Sequence, residues 1–86
     1  MSAMEINEAR IWGDYRQMAI TTGELDRYRA IARNLASSHA TSTYSLAKAL
    51  DAPCADTRRE LRRMERRGYV VADSNGSNNI YWSLKP

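Results

Sequence analysis

Residues 57–70 read Thr57-Arg58-Arg59-Glu60-Leu61-Arg62-Arg63-Met64-Glu65-Arg66-Arg67-Gly68-Tyr69-Val70. At about 100° per residue, Thr57, Leu61, Met64 and Gly68 fall on one side of a helix. Arg59, Arg62 and Arg66 fall opposite, with Arg58 and Arg63 on the flanks. The spacing predicts a helix over 54–67 that buries its apolar side, and Gly68 stands where a left-handed residue closes a helix. Six Arg crowd residues 58–67 against only Glu60 and Glu65, whereas in residues 1–41 five Arg and five acids cancel. The formal charge of +3 is therefore concentrated in one segment. All but two of the thirteen cations are Arg, whose planar fork grips phosphates and base edges bidentately. Such a patch points to nucleic acid, with a solvated helix face as the alternative.

Outward from this stretch the elements follow in both directions. After Gly68, Tyr69 to Asp73 reads as a strand and Ser74 to Asn79 as a polar turn containing Asn75-Gly76. Ile80 to Leu84 reads as a second strand in which Ile80, Trp82 and Leu84 alternate with Tyr81 and Ser83. Before it, Ser42 can cap a short helix whose buried stripe is Leu46, Ala47 and Leu50, and Pro53 either stops that helix or opens the next at its first position. Thr21 and Glu24 form a capping-box pattern. Leu25, Tyr28, Ile31, Ala32 and Leu35 then trace one apolar face of a helix ending near Ser38. Ile11, Tyr15 and Met18 suggest a short extra helix in residues 1–20, interrupted by Gly13 and Asp14. The expected class is α+β, with residues 21–86 as the main domain and 1–20 as an N-terminal segment.

Three helices with a short second one, a tight turn, a basic third helix ending in Gly and a closing hairpin resemble a winged helix-turn-helix domain. Leu46-Ala47-Lys48-Ala49-Leu50 resembles the Leu-Ala-x-x-Leu core of the helix before the turn. Leu61-Arg62-Arg63-Met64-Glu65-Arg66-Arg67-Gly68-Tyr69-Val70 resembles the end of the recognition helix and first wing strand of regulators of the multiple-antibiotic-resistance type. The resemblance covers residues 25–84, and short length with the closing Tyr81-Trp82-Ser83-Leu84 is also similar to small pilus-operon and phage or prophage regulators. The sequence departs from that pattern at Asp51, where a turn Gly is usual, at Pro53, where a Ser or Thr cap is common, and at Glu60, where an apolar residue is frequent.

The resemblance implies a sequence-specific double-stranded DNA-binding protein, a transcriptional regulator that places residues 54–67 in the major groove. Ala55 would then meet a thymine methyl, Asp56 a cytosine amino group, and Arg59 and Arg62 guanine edges. Arg58, Arg63 and Arg66 suit phosphates, which add affinity without sequence information. Ser42, Thr43 and Tyr44 at the start of the second helix suit a phosphate too, although ordinary capping uses the same residues. Asn75 and Ser77 in the hairpin turn can reach a minor groove or the DNA backbone, or form a plain exposed turn without a cation. The competing class is a protein-interaction module on the same fold, which has no need of so many Arg. A single-strand or structure-specific binder is a third class, disfavoured by a shortage of aromatics beside the Arg stripe.

No catalytic or cofactor frame accompanies these residues. His39 has no second His or paired carboxylate at metal spacing, and Cys54 reads as a small residue near a turn, with a redox switch as the sharper alternative. An enzyme, a bound metal and a cofactor are therefore not expected. A chain of 86 residues supports one modest core. No run approaches the roughly 18 apolar residues that cross a bilayer, and Glu5 and Glu8 lie where a signal peptide would be basic and then apolar. The expected setting is the cytoplasm, at the nucleoid and away from membranes, with homodimerisation through residues 1–20 as an expectation because one small domain spans only a short half-site.

Overall fold

The computed structural model describes residues 3–37, 40–74 and 79–86. Four helices and three short strands make an α+β fold: α1 (Ala3–Arg16), α2 (Thr22–Ala36), β1 (Thr41–Ser42), α3 (Thr43–Ala49), α4 (Cys54–Arg66), β2 (Val70–Asp73) and β3 (Tyr81–Leu84). The sheet is antiparallel in the order β1-β3-β2.

Local chemistry accounts for most of these bounds. The Thr21 hydroxyl accepts from the Glu24 backbone N–H while the Glu24 carboxylate accepts from the Thr21 N–H, so both halves of the predicted capping box form. All five residues of the predicted α2 stripe are buried. Ser42 caps α3 by accepting from the Ser45 N–H, and Leu46 and Ala47 are buried beneath it. Thr57, Leu61 and Met64 form the buried side of α4. Pro53 precedes α4 as its cap residue rather than opening it, and no side chain caps that end.

Two expectations change. The two-residue β1 has no counterpart among the expected elements, because two residues cannot display strand alternation; its register pairs Thr41 with Trp82 and Ser42 with Tyr81. The segment 1–20 carries a 14-residue helix that runs through Gly13 and Asp14 without interruption. Its predicted stripe breaks at Met18, which is 89% exposed at φ 61°, because the helix has already ended. Ile11, by contrast, is fully buried. Asn7, also fully buried, donates from Nδ2 to the Lys85 carbonyl at 2.7 Å. Arg10 donates to the Gly68 carbonyl, Arg67 to the Ala19 carbonyl at 2.9 Å, and the Tyr69 hydroxyl to Asp14. Residues 1–20 thus contribute Ile11 and Ile20 to the core of this chain.

Trp82 lies at the centre, fully buried, with Tyr28, Leu46, Leu61, Met64 and Val70 in the same apolar cluster. Its alternation partners Ile80 and Leu84 pack partly buried on that cluster, and Tyr81 faces outward, as the strand period requires. This core holds α4 by one side only.

Candidate nucleic-acid interface

The sides of α4 turned away from the core carry the arginines, and the structure sorts them into three groups. Arg59, with its side chain 63% exposed, points outward and makes a loose 3.5 Å pair with Asp56. Ala55 is exposed on the same side. Arg58 is exposed on the flank toward the sheet, beside Ser42, Tyr44 and Asn79. Arg62 lies on that flank as well: it donates to Glu65 at 2.9 Å, and its guanidinium sits 5.2 Å from the centre of the Trp82 ring. Its expected place opposite the core is therefore shifted toward β3, where cation–π attraction and the Glu65 pair hold it.

The other flank faces α2. Arg63 pairs with Glu60 at 3.2 Å, and Glu60 also meets Arg27 of α2 at 3.4 Å. Glu60 is only 14% exposed; both cations meet its Oε1, while its Oε2 is buried without a hydrogen-bond partner among the described residues. Arg66 lines a polar hollow with Arg63, Arg67, Glu24 and Tyr28. Neither Arg58 nor Arg66 makes an ion pair among the described residues. The exposed i,i+3 pairs of Arg59 and Arg62 are individually worth little, so an incoming anion can replace them.

Between the start of α3, α4 and the start of β3 lies a cleft of about 280 Å³ lined by Ser42, Thr43, Tyr44, Cys54, Arg58, Asn79 and Ile80. It brings three of the predicted contact positions next to a fourth, Arg58. Thr43 does not present its side chain to that surface: it is buried, and its hydroxyl accepts from the Trp82 indole N–H at 2.8 Å. Its backbone N–H donates to the Ile80 carbonyl. The Ser42 hydroxyl is occupied with Ser45, whereas Tyr44 is 69% exposed. Cys54 is half-buried in the cleft. Asn75, Ser77 and His39 lie outside the described residues.

Behind α4 the packing is held by a pair of tyrosines. Tyr28 donates to Glu24 and Tyr69 to Asp14, and their rings meet edge to face at 5.7 Å. Burial, reinforced by the acceptor carboxylate, pushes the Tyr28 hydroxyl up to about 12 and raises that of Tyr69 as well. Glu24 is held below the ordinary carboxylate range, chiefly by the Thr21 backbone N–H.

Among the described residues no group of three His, Cys, Asp or Glu gathers as metal ligands, and no helix is long and apolar enough to cross a membrane. Comparison with protein families, curated proteins and solved structures finds no significant match. The site rests on its own geometry. The Thr43 and Arg62 contacts to Trp82 were not anticipated from sequence, since each joins residues 20 or more positions apart; the alternation that turned Trp82 inward was their only signal.

Proposed function

We propose that this chain is a winged helix-turn-helix protein that binds double-stranded DNA sequence-specifically and regulates transcription. From α2 onward the order helix, short strand, helix, turn, helix and antiparallel hairpin, with β1 beside β3, supports the winged-helix reading. The observation that carries the function is the outer side of α4. Ala55, Arg58, Arg59 and Arg66 stand exposed on a 13-residue helix anchored from behind by Thr57, Leu61 and Met64. A helix of that length rises about 20 Å and fits the roughly 12 Å wide major groove.

In that pose Arg59, Ala55 and Asp56 address base edges, Arg58 reaches phosphates on the sheet side, and Arg63 and Arg66 reach them on the α2 side. Arg62 acts from the sheet flank. Selection from a random pool of duplexes tests this reading. The parent chain enriches a defined motif; Arg59→Ala relaxes it at one position, with a loss of ~1 to 3 kcal/mol against the preferred base. Arg66→Ala weakens all sequences alike and lowers the salt slope by about 0.9. Failure of the parent to enrich any motif removes the sequence-specific reading.

A further inference from the structure

The cleft beside α4 has properties that a duplex backbone does not use. Tyr28, Tyr69 and Trp82 are completely or almost completely buried, yet Tyr44 keeps 69% of its surface in water at the rim of this cleft. Arg58, across from it on α4, has no carboxylate partner among the described residues. Ile80 and buried Thr43 line the same space, whose volume of about 280 Å³ is close to the lower end of the range for small-molecule sites. A phosphate alone requires a cation, neither an aromatic ring nor a hollow of this size. A nucleotide whose base has left the stack uses all three: a ring to stack on, a cation for its phosphate and a recess with mixed polar and apolar walls.

Resting on the DNA-binding reading above, we infer that this cleft receives a single unpaired nucleotide at the edge of the duplex, its base stacked on Tyr44 and its phosphate on Arg58. Cys54 and Arg58 line the cleft and are chain neighbours of Ala55 and Arg59, so the occupant adjoins the base pairs that α4 addresses. The target is then a duplex carrying a bulged or extruded nucleotide, and Tyr44 supplies the aromatic platform that the sequence did not display beside the Arg stripe.

The experiment compares the full chain on three duplexes of one sequence: perfectly paired, with one bulged 2-aminopurine nucleotide, and with a bulged abasic nucleotide. Binding on the order of tenfold tighter to the 2-aminopurine bulge is expected, with quenching of its emission as it stacks; the abasic bulge gains nothing. Tyr44→Ala brings the ratio of bulged to paired affinity close to one, and Tyr44→Phe preserves it because stacking needs the ring and not the hydroxyl. Equal affinity of the parent for bulged and paired DNA overturns this inference and leaves the DNA-binding reading standing. So does an abasic bulge bound as tightly as the base, or a preference that survives in Tyr44→Ala. Binding to none of the three overturns both.

Discussion

The Thr43 hydroxyl illustrates how a single residue changes meaning once its partner is known. Its place at the opening of a helix suits either a phosphate or ordinary capping; its hydroxyl is the acceptor for the one polar atom of the central indole, 39 positions away. Thr43→Val leaves that N–H buried without a partner and should cost ~1 to 3 kcal/mol in denaturant unfolding, while Thr43→Ser keeps the acceptor and most of the stability. A Val variant as stable as the parent contradicts this role. The two buried tyrosines make a pH prediction of definite sign. Tyrosine in the unfolded chain titrates near 10.0, whereas folding raises both groups, Tyr28 to about 12. The folded state thus retains protons that the unfolded state releases, and their stabilisation is complete below pH 10 and lost as pH rises toward 12. Urea midpoints should fall across that window in the parent and fall less in the Tyr28→Phe, Tyr69→Phe double variant. Parallel profiles would show that other groups govern the alkaline limb.

Three of the four helices, α1, α3 and α4, share one device at their C-terminal ends. Met18, Asp51 and Gly68 each take a positive φ, at 61°, 52° and 82°. Around each, paired backbone bonds close the last turn: Met18 to Tyr15 with Ala19 to Asp14, Asp51 to Lys48 with Ala52 to Ala47, and Gly68 to Glu65 with Tyr69 to Met64. Only Gly68 announced itself, because glycine enters that region without steric cost; Asp51 was a departure at a position where the resemblance has a turn Gly, and Met18 carried no local signal. That is why the end of α4 was placed to within a residue, while the helix expected in residues 1–20 had no legible end and ran through Gly13 and Asp14, where an interruption was expected. Caps and amphipathic stripes made α2, α3 and α4 legible, and strand alternation made β2 and β3 legible, since these signals are local. β1 exists only through its pairing with β3, and no local signal encodes it. Asp51→Val places a β-branched side chain at φ 52° and should lower stability by ~1 to 2 kcal/mol, with Asp51→Gly at least as stable as the parent. A thermal or urea scan in which Val is tolerated would contradict the strain.

At the scale of the whole molecule, α1 is a wall of the core and a brace for the α4 to β2 corner. Ile11→Ala removes a fully buried side chain and should cost ~2 to 4 kcal/mol, a large fraction of what an 86-residue domain has. Deletion of residues 1–18 should abolish a cooperative melt; a truncated chain that melts as the parent does would restore the segment to the status of an appendage. The candidate site was legible in outline, because the Arg positions on α4 follow from helical spacing alone. Its division into an outward arginine, a sheet-side group and an α2-side group was not, because Trp82 and Arg27, from outside the segment, and the burial of Glu60 between Arg27 and Arg63 decide it. The central claim is that this arginine face binds DNA, and the salt dependence of binding to a labelled random-sequence duplex tests it most directly. With Arg58, Arg63 and Arg66 on phosphates, the plot of log affinity against log salt should be linear with a slope near −3, at about −0.9 per contact. No binding at the lowest salt, or an affinity indifferent to salt, would contradict it and return the arginines to a solvated helix face.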